Sequence, residues 1–243
     1  MSKLIPPHGG KGLTCCLLEG AALEAEKKKA QGLKKISVSP REKGDLIMMG
    51  IGGFSPLTGF MTKADWKGVC EKYLMADGTF WPIPVTLSAA KADASGIKVG
   101  EEIALYDDEA KEFVATMKVT EKYDMGVAEK RFECEKTFMG EGSKTVEDFW
   151  KIAEKDHPGV QMVMQQKDVN LAGPVKVLSE GEYPKKYAGV YMRPAESRKI
   201  FEERGWSRIA ALQLRNPMHR SHEYLCKIAV EVCDGVYIHS LVG

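Results

Sequence analysis

The chain has 243 residues, 35 basic and 34 acidic, with a formal net charge of +1, 44% apolar and 28% charged residues. Those values are ordinary for a globular protein of one to two domains and argue against a dedicated nucleic-acid binder, which carries a large basic excess. No apolar run approaches the roughly 18 residues that cross a bilayer, and the N-terminal MSKLIPPHGGKGLTCC lacks the apolar core of a secretory signal.

A short helix is predicted over 17–32. Leu17, Leu18, Ala21, Ala22 and Ala25 recur at helical spacing, Lys27, Lys28 and Lys29 follow where cations suit the helix dipole, and Gly32 is a stop. The lysine run reads as a solvated face. Residues 35–61 then carry Gly50, Gly52, Gly53, Pro56 and Gly59, which predict a compact loop between short elements. A second helix is predicted over 65–74, with Trp66, Val69, Cys70 and Tyr73 on one side.

From 79 to about 123 the pattern turns to β. WPIPVTLS, EEIALYD and FVATMKVTEKY are short runs rich in Val, Ile, Thr and aromatics, separated by turn signals, as in a small barrel or sandwich. A helix is predicted over 146–155, ending before His157-Pro158-Gly159. VQMVMQQKDVNLAGPVKVL reads as two strand-like pieces, with a turn and a domain boundary at Gly173-Pro174. This divides the chain into domains 1–173 and 174–243.

Beyond 191 the character changes again. PAESRKIFEERG has Pro at its start and Gly at its end, the asymmetry of a helix. RIAALQL is largely apolar without alternation, suiting a parallel strand buried on both faces. RNPMHRSH is a turn into a helix, and DGVYIHSL is another strand. Together they form one β-loop-α-β unit, the start of a doubly wound, Rossmann-like sheet. Two strands and two helices fall short of the roughly five strands such a sheet needs, so the second domain is expected to be incomplete. Cys15, Cys16, Cys70, Cys134, Cys226 and Cys233 show no zinc-ribbon spacing and read as reduced thiols of a cytoplasmic protein. Cys226 and Cys233, seven apart, are expected to pack as small hydrophobes on one helix face.

The charge total hides an uneven distribution. Six of the eight arginines fall between 193 and 220, and the window 193–222 carries a net +4 with two of the five histidines. Within it, Gln213, Arg215, Asn216, His219 and His222 fall at the end of a parallel strand and the start of a helix. Open α/β sheets bind ligands there, and free helix N–H groups favour anions. Arg215 is a rigid oxyanion fork and Asn216 a neutral donor. His219 and His222, at i and i+3, share one face of the first turn and can donate to one phosphate. A pair of ordinary caps and surface charges is the plainer reading. Metal binding by the two histidines is a third; Glu223 follows immediately, but no third ligand is evident locally.

QLRNPMHRSH resembles the substrate-binding signature of the ATP sulfurylase (sulfate adenylyltransferase) family, Gln-x-Arg-Asn-Pro-x-His-x-x-His. GGFSPLTGFM, WPIPVTL, GPVKVL and RPAESRKIFEERGW resemble further family segments, in the family's order and over most of the chain. The wording is most similar to forms from dissimilatory sulfate reducers. The resemblance implies a PUA-like N-terminal β-barrel domain followed by the start of a Rossmann-like nucleotidyltransferase domain. It implies that sulfate attacks the α-phosphorus of ATP, giving adenosine 5′-phosphosulfate and pyrophosphate. Gln213 and Arg215 match sulfate binders. Gln213, Arg215, Asn216, His219 and His222 match ATP-phosphate contacts, with Leu214, Arg215, Asn216 and the two histidines at the catalytic positions. Mg²⁺ is expected to arrive with ATP, zinc only in a C-terminal region of some members, and the full-length protein is expected to be a homo-oligomer. The pattern departs from the family at Leu214, where many members have Thr, and at Ser240 in HSLVG, where the family has Pro. Two other functions compete: a non-catalytic PUA-like RNA-binding module, and another adenylyltransferase of the same His-x-x-His type with a different acceptor.

Overall fold

The computed structural model describes residues 4–139 and 145–240, without the side chains of 152–155. The chain forms two compact units, residues 13–191 and residues 1–12 together with 192–243.

In the larger unit the elements run α1 (Gly20–Ala30), β1 (Lys34–Ser37), α2 (Pro40–Gly50), β2 (Gly59–Phe60), α3 (Lys63–Lys72), β3 (Leu87–Ala89), α4 (Lys91–Ser95), β4 (Glu102–Asp107), β5 (Glu112–Lys118), β6 (Glu121–Asp124), α5 (Val127–Phe138), α6 (Val146–Asp156), α7 (Pro158–Met164), β7 (Val169–Val177) and α8 (Tyr183–Lys186). One seven-stranded sheet holds them together, with β7 as its hub. β2, β3, β5 and β6 all pair antiparallel with β7, while β4 bridges β5 to β1. FVATMKVTEKY is therefore two strands rather than one. The chain breaks after Lys118 and returns as β6, and both pieces lie along β7, which curls the sheet. The core on this sheet includes Ile36, Leu46, Met49, Leu105, Met117 and Leu171.

The turn expected at Gly173-Pro174 is the interior of β7, where Gly173 pairs with Phe60 and Pro174 with Gly59. Three backbones converge there. A Cβ on Gly59 would meet the Gly173 carbonyl, and one on Gly173, whose φ is +149°, would meet the Lys118 carbonyl. Glycine is needed because the strands approach too closely for a side chain. The two compact units part at 191/192, not at this dipeptide. Of the two strand-like pieces expected here the second is β7, but the first is the helix α7, with Pro158 in its first turn and His157 Nδ1 accepting from Val160 N–H at 3.3 Å.

Other expectations shift in detail. α1 begins at Gly20, because Leu17 bridges to Val177 instead. Ala21, Ala22 and Ala25 are exposed, and the inward positions are Leu23, Glu26 and Ala30. Glu26 accepts from Thr116 Oγ1 (2.7 Å), Lys176 Nζ (3.1 Å) and Lys29 Nζ (3.3 Å). Burial raises its pKa, and these donors outweigh burial to hold it below the usual range. α2 fills the segment expected as loop. Ser39 Oγ accepts from Glu42 N–H at 3.3 Å, and Glu42 Oε2 accepts from Ser39 N–H at 2.8 Å, a capping box with Pro40 at N1. Glu42 Oε1 also accepts from Ser88 N–H (2.7 Å) and Oγ (3.0 Å), tying α2 to β3. Trp66, Val69 and Cys70 of α3 are buried as expected, but Tyr73 is its exposed, left-handed C-cap.

The smaller unit runs α9 (Pro194–Glu203), β8 (Ile209–Leu214), α10 (Arg220–Val232) and β9 (Gly235–Ser240), the last two strands being parallel. This is the expected β-loop-α-β unit. β8 is not buried on both faces: of its residues only Leu214 is buried, and no residue of α10 is. With two strands among the described residues, the sheet has no further strand to cover either. Cys226 and Cys233 are half-buried, and Cys233 is the C-cap of α10. The Asp234 carboxylate closes the other end of the strand pair, accepting from Ser207 N–H (2.6 Å), Ser207 Oγ (2.8 Å) and Arg208 N–H (2.9 Å). Those bonds pull its pKa down to about 2. Of the HSLVG segment, residues 241–243 lie outside the described residues.

Candidate functional site

β8 delivers the sequence motif to the carboxyl end of the parallel pair. Side chains alternate along a strand, and the alternation is visible at its tip, where Leu214 is buried and Gln213 exposed. Leu214 thus anchors the strand end. Its side chain is turned away from solvent, so only its backbone is available to a ligand. Arg215 and Asn216 follow outside the strand, both exposed. Among the described residues neither Arg215 nor Asn216 has a hydrogen-bond or ion-pair partner. The nearest acidic residue in sequence, Glu223, is instead paired with Lys227 at 2.7 Å.

Pro217 and Met218 complete the turn, and His219 is the N-cap of α10, with extended backbone (φ −129°, ψ 179°). Its main-chain N–H donates to His222 Nδ1 at 3.3 Å, closing half a capping box with an imidazole where Glu or Gln is usual. A ring that accepts at Nδ1 carries its proton on Nε2, so His222 keeps a donor there. His219 Nδ1 lies 3.0 Å from Ser221 Oγ. The two rings are 3.9 Å apart, centre to centre, inclined by 45°. Neither Nε2 has a partner among the described residues. Two imidazoles at a helix N-terminus, with a guanidinium four residues upstream on the same loop, are the kind of donors that suit an anion.

The five expected residues are brought to one strand–helix junction. His239, which the sequence placed in HSLVG without a role, lies beside them. The register sets Gln213 of β8 directly beside His239 of β9, so both share one sheet face at the same strand ends. Among the described residues no group of three His, Cys, Asp or Glu side chains is placed to hold a metal ion. Among the same residues no helix is long and apolar enough to cross a membrane.

Residues 5–180 match the PUA-like domain family, and residues 188–243 match the ATP-sulfurylase family. The chain belongs to the PUA-like domain family, joined to an ATP-sulfurylase region. It is 76% identical over its whole length to the sulfate adenylyltransferase of Desulfatibacillum aliphaticivorans and covers 57% of that protein. The corresponding enzyme of Desulfovibrio desulfuricans is 67% identical, again with 57% covered. That of Entamoeba histolytica is 52% identical, with 55% covered. The chain therefore spans a little over half the length of these curated relatives. Among solved structures, a hexameric APS kinase from Thiobacillus denitrificans superposes with a TM-score of 0.71 at 28% identity, covering 99% of this chain and 40% of that one. The PUA-like domain accounts for the curled sheet around β7, and the ATP-sulfurylase region for the β8–α10–β9 unit that carries the motif.

Proposed function

We propose that this chain carries the sulfate- and ATP-phosphate-binding portion of a sulfate adenylyltransferase. The reaction joins a sulfate oxygen to the α-phosphorus of ATP and breaks the bond to the α,β-bridging oxygen. Pyrophosphate leaves, and adenosine 5′-phosphosulfate forms. One observation carries the reading: Arg215 and the Nε2 atoms of His219 and His222 have no partner among the described residues, at the tip of a parallel strand in a chain similar throughout to sulfate adenylyltransferases.

The roles follow from the chemistry. Sulfate is already a dianion at neutral pH and needs no general base. The difficulty is to hold two anions in line against their repulsion. Arg215 offers sulfate a charge-assisted fork, and Gln213 a neutral amide donor beside it. Asn216 and the two histidines donate to the ATP phosphates. The paired imidazoles sit where charge grows on the bridging oxygen as the bond breaks, and being fixed beforehand they need not reorganise. Leu214 contributes its backbone. Mg²⁺ enters with ATP as part of the substrate. The donor set here suits phosphate oxygens rather than the ion. The full-length protein acts in the cytoplasm as a homo-oligomer on ATP, sulfate, adenosine 5′-phosphosulfate and pyrophosphate. RNA binding by the PUA-like domain is not favoured, since the relatives are sulfate adenylyltransferases over the whole chain.

The test is pyrophosphate release from ATP by the full-length protein, with and without sulfate, and ATP formation in the reverse direction. Sulfate-dependent release supports the reading. Release that ignores sulfate but follows another acceptor overturns it.

A further inference from the structure

We infer that His239 is a further oxyanion-positioning residue of this site, acting on the sulfate beside Gln213; the inference rests on the proposed function. The parallel register pairs Ala211 with Tyr237 and Gln213 with His239. Registered neighbours in adjacent strands put their side chains on the same face, about 5 Å apart. Gln213 and His239 therefore stand side by side at the carboxyl ends of both strands, and both are exposed.

The His239 ring is also held in place. It stacks on Tyr237 with centroids 6.0 Å apart and planes inclined by 9°. Tyr237 meets Phe201 edge-on at 5.5 Å, and Phe201 stacks on Trp206 at 6.0 Å. Gly235 makes room for Trp206, since a Cβ there would overlap the indole. A row of four rings thus runs along one face of the strand pair, and its last member is the only one able to donate an N–H at the strand tips. Neither ring nitrogen of His239 has a partner among the described residues. Apolar packing would be served as well by phenylalanine. An imidazole in that place adds a donor beside whatever Gln213 binds.

Two variants separate donor from packing. His239→Phe keeps the stack on Tyr237 and removes both ring nitrogens, whereas His239→Gln removes the stack and keeps an N–H donor. In the full-length protein, His239→Phe is expected to raise KM for sulfate about tenfold or more, with KM for ATP moved less than about twofold. His239→Gln is expected to recover most of that loss. Equal rises in both KM values, or no change in His239→Phe, overturn the inference. So does a His239→Gln variant as impaired as His239→Phe. Sulfate binding is measured separately by calorimetry with a non-hydrolysable ATP analogue. Wild-type protein that binds sulfate but forms no phosphosulfate sinks the proposed reaction, while the binding comparison still decides the role of His239. Wild-type protein that binds no sulfate overturns both.

Discussion

The main-chain N–H of His219 donates to Nδ1 of His222, so the first turn of α10 fixes the orientation of its own catalytic candidate. In the proposed reaction, removing either imidazole should therefore damage the same transition-state contact. His219→Ala and His222→Ala are each expected to lower kcat of the full-length protein in that reaction about 10²- to 10³-fold, with KM values little changed. The double variant should be scarcely worse than either single one, because the pair acts as a unit. Steady-state kinetics on the three variants is the check, and fully multiplicative losses would contradict the paired role.

Arg215 has no carboxylate partner among the described residues, so its substitution should cost binding rather than folding. Arg215→Ala is expected to raise KM for sulfate much more than KM for ATP, with an unchanged melting temperature. Arg215→Lys should rescue little, because an ammonium cannot reproduce the planar fork. Equal loss of both substrates would remove the sulfate role.

Leu214 is buried at the tip of β8, at the position where the motif departs from the family pattern it resembles. Replacing it with Thr removes apolar volume and buries a hydroxyl, a cost of about 2 kcal/mol in stability. The kinetic constants should not move, since the side chain faces inward. A gain in kcat from Leu214→Thr would show that the hydroxyl reaches the phosphates after all.

Gly173→Ala should destabilise the PUA-like domain by about 3 kcal/mol or more. Its methyl would meet the Lys118 carbonyl, at a φ of +149° that L-residues avoid. Gly44, within α2, behaves oppositely, because a methyl added there meets nothing within 4 Å. Gly44→Ala should stabilise by about 0.5 to 1 kcal/mol. Chemical denaturation of both variants reads the contrast.

Asp45 gives a pH signature. It is paired with Arg41 at 2.9 Å, yet burial pushes its carboxyl up to about 6, more than Arg41 pulls it down, and Glu42 adds to the rise. Between about pH 4 and 6 the folded state keeps a proton that the unfolded chain has lost, so this group's contribution falls as pH rises through that window. The fall should be about 2 to 3 kcal/mol. Asp45→Asn should flatten it. Denaturation from pH 4 to 7 tests this, and identical slopes in the two proteins would refute it.

How much of this was legible depended on which signals acted alone. α9, β8, α10 and β9 were readable because Pro194, Gly205 and one apolar strand punctuate them and local preference agrees with the fold. α2 was hidden because Gly44 and Gly50 look like breakers, although Ser39, Pro40 and Glu42 spell a helix start. Residues 160–164 are an apolar run that suits strand or helix equally, and the cap from His157 decides between them. Gly173-Pro174 has turn chemistry, but pairing with β2 overrides it. The members of the site were legible as a motif on one stretch of chain. The place of His239 beside Gln213 was not, because it is a matter of strand register between segments joined by a whole helix.

β7 also sets the order in which the larger unit can form. Its partners β2, β3, β5 and β6 all precede it, and Gly59 finds Pro174 only across most of the unit's length. Contacts so distant in sequence are slow to close. On the ribosome, β2, β3, β6 and one edge of β5 stay open until β7 has emerged, and a chain arrested before that point would present them to chaperones or to one another.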